Sequence, residues 1–360
     1  MRFHGALANL ICIFCWTAPL FFLPASVVLI TAPHGIMGVA AGFIIMAALL
    51  GGPMIWSYRL AIYSIYLAVA IADGGTHCLL GCGILGLMLL MITELPGGAE
   101  AWPPAPWFFQ LITETLNGAS YYSTCELRGD LESIKPGRTL YAQHPHGVLT
   151  AGFTWTMFWN ASFHERTGRI GFLLDEGLRL KSPTFRLMCD WFEGPKRYAG
   201  AATKSVIKAA MARGESLALI PGGFQEATIC ERRRDRVYIL HRQGFLKYCL
   251  QEGYTVVPCY TFGESDTYRT FTSCLGLRMW LAKQNIPACA MVGHWLCPLL
   301  PRSGVHLITY LGEPLHLPRI AEPTVADVEA WHAKYVDALK ATFDKNKAAA
   351  GKPDAVLEIW

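Results

Sequence analysis

The pattern of apolar and polar positions changes character near residue 95. Between Phe3 and Thr93 the only Asp, Glu, Lys or Arg residues are Arg59 and Asp73. Within that span Leu7–Ile30 and Ile36–Trp56 carry no charge, and an α-helix needs roughly 20 such residues to cross about 30 Å of hydrocarbon. Two membrane helices are predicted. A secretory signal peptide competes for the first stretch, which however lacks a compact basic start and runs straight into more apolar sequence. Leu60–Ile71 and Leu79–Ile92 are apolar as well, but Asp73, Gly74, Gly75 and His77 separate them, leaving one broken span or a re-entrant pair open. Asp73 reads most plainly as part of an interfacial loop. Residues 1–94 are thus expected to be a transmembrane helical region.

Residues 95–119 read as a linker or interfacial segment. Leu95-Pro96-Gly97-Gly98 and Trp102-Pro103-Pro104-Ala105-Pro106-Trp107 cannot continue a helix, and the tryptophans suit a membrane–water boundary. Residues 120–360 then alternate short apolar runs with helical periods. Strands are expected at Thr139–Gln143, Ile170–Leu174, Ser216–Ile220, Val237–Leu240 and Thr255–Phe262. Helices are expected at Ala201–Arg213 and Gly244–Gln251, each followed by a glycine, Gly214 and Gly253, suited to a left-handed cap. A last helix has a capping box in Thr324 and Asp327, with Val328, Trp331, Tyr335, Leu339 and Phe343 along one face. Strand and helix in alternation imply an α/β domain with a largely parallel sheet.

Composition adds three limits. The formal net charge of the whole chain is +4, and the excess of Lys and Arg lies after residue 100. It suits anionic headgroups or a phosphorylated ligand and is too weak to argue for nucleic acid. The 12 cysteines are scattered and are read as reduced; Cys12-x-x-Cys15 lies inside the first apolar span with no second pair. Asn160-Ala161-Ser162 is a glycosylation sequon by pattern, silent if this domain faces the cytosol.

The candidate chemistry lies at two strand ends. Tyr141-Ala142-Gln143-His144-Pro145-His146-Gly147 closes the first strand, before a helix expected from Val148, and α/β sheets bind ligands beyond the carboxyl ends of their strands. An imidazole near its ordinary pKa of about 6.5 takes a proton from an alcohol and returns it to a leaving group. His146 is read as the base, and His144 as a second donor or orienting group. Gly147 permits close approach. Two exposed loop histidines are the plain alternative; a metal site is the chemical rival, and it lacks a further ligand cluster of suitable spacing, so no metal is expected. The second segment, Pro221-Gly222-Gly223-Phe224-Gln225-Glu226, follows another strand. Its backbone N–H groups suit an oxyanion and Glu226 suits the third place of a triad, the alternative being simple strand punctuation.

Together these segments resemble the type-2 diacylglycerol acyltransferase family: HPHG, PGGFQEAT and HRQGFLKYCLQEGYTVVPCYTFGESD occur in matching order. The likeness extends over roughly residues 120–360, through Leu311-Gly312-Glu313-Pro314-Leu315 and the terminal helix. It implies a glycerolipid-acyltransferase-like, mostly parallel sheet with flanking helices. It also implies a multi-pass protein of the endoplasmic reticulum membrane and of lipid droplets, with its catalytic domain in the cytosol. Acyl-CoA and diacylglycerol are the implied substrates, with 2-monoacylglycerol or a fatty alcohol as alternative acceptors, and no cofactor is required. Membrane lipids are implied partners, and a homo-oligomer stays open.

The chain departs from the pattern in three places, the first being an N-terminal region longer and more apolar than the family's usual two-span hairpin. Tyr121-Tyr122-Ser123 stands where the family often has Tyr-Phe-Pro. The broader glycerolipid acyltransferases place an aspartate five positions after their histidine, where this chain has Ala151 or Leu149, so the carboxylate must come from elsewhere, which points to Glu226. For the phosphates of coenzyme A, Lys196 and Arg197 are candidates. Arg232, Arg233, Arg234 and Arg236 form a second set, where a solvated or headgroup-facing loop is the plainer reading.

Overall fold

The strand Thr139–His144 (β2) is buried at all six positions, as expected of a strand covered on both faces of a parallel sheet. In the computed structural model, which describes residues 2–31, 36, 39, 80–83, 102–284 and 288–360, β2 is central to an eight-stranded sheet. Its other strands are β1 (Thr124–Arg128), β3 (Ile170–Leu174), β4 (Arg197–Ala201), β5 (Ser216–Leu219), β7 (Thr255–Phe262), β10 (His306–Leu311) and β11 (Leu315–His316). The order is β1-β10-β7-β2-β5-β3-β4, with β11 on β7, while β8 (Arg269–Thr270) and β9 (Met291–Val292) pair with each other apart from this sheet. β7, β2, β5, β3 and β4 run parallel, whereas β10 and β11 pair with β7 antiparallel.

Helices Lys204–Ala212 (α2), Gly244–Glu252 (α4) and Val325–Asn346 (α5) supply the core of one face, where Met211, Leu246, Leu250 and Leu339 join Leu140, Leu217 and Val256. The other face is aromatic: Tyr141 meets Phe163 edge to face at 5.0 Å and Phe158 stacks on Phe192 at 3.8 Å. Thr324 and Asp327 form the expected capping box of α5, and Val328, Tyr335, Leu339 and Phe343 are buried along it.

Three expectations are corrected. No helix starts at Val148, because residues 145–150 form a loop with Gly147 and Thr150 at positive φ; a π-helix follows at Phe153–Phe158. The helix expected from Ala201 starts at Lys204, since Ala201 ends β4. Val237–Leu240 is not a strand of the main sheet. Asp235–Val237 (β6) pairs instead with Leu357–Ile359 (β12), and the N–H groups of Ile239 and Leu240 donate to the Trp360 carbonyl. Both partners lie more than a hundred residues away in the chain, beyond the reach of a local pattern.

The chain divides into two compact units: Met1–Ile13, Pro104–Leu174 and Phe192–Trp360 in one, Phe14–Pro103 and Asp175–Trp191 in the other. In the first, Asn9 of the helix Arg2–Thr31 (α1) is buried and fully bonded. It accepts from Tyr122 Oη–H at 3.0 Å and Trp155 Nε1–H at 2.9 Å and donates to the Gly118 carbonyl at 3.0 Å. In the second, Arg179 pairs with Asp190 at 3.2 Å and Thr184 donates to the Cys15 carbonyl at 2.6 Å. Among the described residues no helix is long and apolar enough to cross a membrane. The expected spans at 36–56, 60–71 and 79–92 lie almost wholly outside the described residues.

Candidate active site

The parallel register brings the carboxyl ends of β7, β2 and β5 side by side, with His144 opposite Tyr260 and Ala142 opposite Leu219. Three loops leave this edge. The HPHG loop follows β2, Pro221-Gly222 follows β5 and leads into the helix Gly223–Ile229 (α3), and Gly263-Glu264 follows β7.

His144 is completely buried. Its Nδ1 lies 3.1 Å from both carboxylate oxygens of Glu226 and its Nε2 lies 3.1 Å from the Tyr335 hydroxyl on α5. A carboxylate only accepts, so Nδ1 carries the proton and Nε2 accepts from Tyr335. Glu226, equally buried, also accepts the backbone N–H of His146 at 2.6 Å and of Tyr238 at 2.7 Å. A buried carboxylate is tolerated when its lone pairs are satisfied in this way. Glu226 therefore reaches the imidazole of His144, but reaches His146 through the peptide group. Gly222 is needed for this approach, because a Cβ there would lie 2.2 Å from Glu226 Oε2.

His146 is only partly buried, and its Nδ1 lies 2.9 Å from the Gly147 carbonyl. A carbonyl also only accepts, so the proton sits on Nδ1 and Nε2 keeps a lone pair. Burial moves the ring's pKa below its usual value, outweighing the Gly147 carbonyl and Glu226, which keeps the ring neutral near pH 7.

Beneath the loop sits a residue that the sequence pattern did not single out. Glu264 is buried and accepts the N–H groups of Ala151 and Gly152 at 3.0 and 2.5 Å. Gly147, at φ +62°, packs directly on it: a Cβ would lie 2.1 Å from Glu264 Oε1. Burial pushes the Glu264 carboxyl up to about 7 against the two backbone donors. Its signal was a third glycine-bearing strand-end loop, with the acid directly after the glycine in Gly263-Glu264 of FGESD. Tyr335 was also missed as a polar partner, because its place on the apolar face of α5 made it look like packing alone.

Lys196 and Arg197 are not brought here. In parallel register with Ile170 at the start of β3, Arg197 sits at the amino-terminal end of the edge strand, the far end of the sheet from His144. Lys196 pairs with Glu165. Arg197 donates to the Phe192 carbonyl at 2.9 Å and lies over the Phe109 ring at 3.5 Å. At the site itself, Arg242 donates to Gln225 in the PGGFQE segment. Among the described residues no three His, Cys, Asp or Glu side chains are grouped to hold a metal ion.

The family described as diacylglycerol acyltransferase matches residues 118–360. The chain is 32% identical over 155 residues to diacylglycerol O-acyltransferase 2 of Xenopus laevis, covering 39% of this chain and 42% of that protein. It is 27% identical over 235 residues to diacylglycerol O-acyltransferase 2 of Dictyostelium discoideum, 61% and 69% of the two chains. It is 33% identical over 148 residues to acyl-CoA wax alcohol acyltransferase 2 of Mus musculus, 38% and 44%. The matched segment thus spans less than half of the Xenopus and mouse relatives.

Proposed function

Because the chain belongs to the diacylglycerol acyltransferase family, we propose that it transfers an acyl chain from acyl-CoA to the free hydroxyl of diacylglycerol, giving triacylglycerol and coenzyme A. The observation that carries this reading is the arrangement of His146. It stands at the joined ends of β7, β2 and β5 with its Nδ1 proton held by the Gly147 carbonyl, so the other ring nitrogen is the available base.

In this reaction His146 Nε2 takes the proton of the acceptor hydroxyl as its oxygen attacks the thioester carbonyl. The new C–O bond gives a tetrahedral oxyanion, for which the Gly222-Gly223 turn is the proposed donor loop. Collapse breaks the C–S bond, and the departing thiolate takes the proton back from the imidazolium. No covalent enzyme intermediate, metal or cofactor is needed. His144 and Glu226 act as positioning residues. Each is buried and fully engaged, and Glu226 fixes the peptide N–H from which the His146 side chain projects.

The charge-poor residues 1–94 suit membrane anchorage, and an uncharged acceptor dissolved in the bilayer suits an enzyme held there. We place the protein in the endoplasmic reticulum membrane with residues 120–360 facing the cytosol, where acyl-CoA is supplied. Asn160 should then stay unglycosylated. A fatty alcohol acceptor is the second reading, favoured by the likeness to the mouse wax alcohol acyltransferase. Expression in cells devoid of neutral-lipid synthesis, followed by separation of lipid classes, tests both. Triacylglycerol supports the first reading, wax ester the second, and no neutral lipid at all removes both.

A further inference from the structure

The arginine run after α3 divides in two. Arg236 pairs with Glu231 at 2.7 Å and Glu358 at 2.9 Å, and Arg234 with Glu231 at 3.4 Å. Among the described residues no carboxylate lies within ion-pair distance of Arg232 or Arg233, nor of Arg269 and Arg302 further along the chain, and Arg232 Nε is buried without a partner. Burial first, then the fields of Arg302, Arg233 and Arg269, work against the charge on Arg232; Asp266 offsets part of this but is itself held by Lys352 at 2.9 Å. Like charges gathered without counter-ions are a standing cost that an anion relieves.

Two of these arginines, Arg269 and Arg302, line a cavity of about 330 Å³ together with Ser303, His294 and Trp295, within the usual size of small-molecule sites. Trp295 is 81% exposed and offers an aromatic face of the kind on which nucleobases stack. The cavity is linked to the residue after the HPHG loop through Tyr268. Its wall at Gly293 packs on the Tyr268 ring, since a Cβ there would lie 2.8 Å from Tyr268 Cε1. Tyr268 in turn shares a buried cluster with Val148, the residue after HPHG, and Cys230.

The geometry points to a binding pocket for a phosphorylated nucleotide, the adenosine 3′,5′-bisphosphate portion of the acyl donor, with Arg269, Arg302 and Ser303 on the phosphates and Trp295 on the base. The inference rests on the acyl-CoA reading for the identity of the ligand, and on the unpaired arginines for its place. The Tyr268 ring links the pocket wall at Gly293 to the buried cluster that holds Val148, next in the chain to the catalytic loop.

The test uses the purified full chain in uncharged detergent and radiolabelled adenosine 3′,5′-bisphosphate as probe. The nucleotide should bind, and Arg269→Gln with Arg302→Gln should weaken it about a hundredfold, each charge-assisted contact being worth about tenfold. Arg269→Lys with Arg302→Lys should restore much of the loss, and Trp295→Ala should weaken binding about tenfold. In turnover the double glutamine variant should raise KM for acyl-CoA and lose the preference for acyl-CoA over an acyl-pantetheine that carries no phosphate. Absence of nucleotide binding, or equal binding by the variant, overturns the proposal. So does displacement of the nucleotide by equal amounts of short-chain phosphatidic acid, which would make the pocket a lipid-headgroup site. If the wild-type chain binds the nucleotide through these arginines yet transfers no acyl chain, the transferase reading fails and the pocket stands.

Discussion

Glu215 and Glu264 are buried carboxylates at opposite ends of the same parallel sheet, and their surroundings push them in opposite directions. Glu215 precedes β5 at the amino-terminal ends. Burial works to raise its pKa, but the hydrogen bonds of Arg213 at 2.8 Å and Tyr198 at 2.9 Å, with the charge of Arg169, hold it below the usual carboxylate range. Glu264 follows β7 at the carboxyl-terminal ends, meets only backbone N–H groups, and rises to about 7. The amino end is a closed ion network that fastens strands. At the carboxyl end the carboxylates hold a loop instead, and the nearby cations at 232, 233, 269 and 302 are left without counter-ions. The position of a charge in the sequence said little about this; the supply of partners at each end of the sheet decided it.

The contrast is tested most severely by catalysis. His146→Ala should lower turnover by about 10²–10⁴-fold, the usual worth of general acid–base help, in a protein that still folds. Glu226→Gln added to His146→Ala should cost little more than the single change, because groups acting as one unit are strongly non-additive. Losses that multiply instead would detach Glu226 from that unit. With the pKa of His146 lowered by burial, the acid limb of kcat/KM should lie below pH 6.5, and activity should be flat from there to neutral pH. An inflection above 6.5 would contradict the lowered pKa of this imidazole.

The two glutamates themselves give opposite stability profiles. Glu264 binds its proton more tightly folded than unfolded, so its contribution should fall as pH rises from about 4.5 to about 7, by up to about 1.4 kcal/mol per pH unit. Glu264→Gln should remove that slope in thermal unfolding of the full chain. Glu215 is depressed, so its contribution is present above about pH 4.5 and fades as pH falls; Glu215→Gln should show its largest deficit near neutral pH and little in acid. Two profiles of the same sign would erase the distinction between the ends of the sheet. The smallest effect belongs to Lys196→Gln. Removing one exposed ion pair should shift stability by less than about 1 kcal/mol and leave KM for acyl-CoA within about twofold.

Legibility followed the range of the interaction that made each feature. The strands at Ile170–Leu174 and Thr255–Phe262, the two glycine-capped helices and the Thr324–Asp327 capping box depend on neighbours within a few residues, and their patterns predicted them. The strand-end positions of HPHG and PGGFQE were legible for the same reason. Pairing across the chain was not. That Glu226 would meet the imidazole of His144 and only the peptide of His146 depends on the β2–β5 register, which has no local sequence mark.

What the sequence by itself determined is therefore the inventory: a charge-poor first quarter, an α/β remainder, two histidines and a carboxylate at strand ends, and more arginine than local acid can pair. Only the tertiary structure decided the assignments. It sent Lys196 and Arg197 to the far end of the sheet, set Glu264 beneath Gly147 and Tyr335 against His144, and within one arginine run paired Arg234 and Arg236 with Glu231 and Glu358 while giving Arg232 and Arg233 no carboxylate among the described residues. The physical reason is that a buried polar group takes its state from whichever donors, acceptors and charges the fold brings within a few ångströms. In a parallel sheet those neighbours come from strands widely separated in the chain.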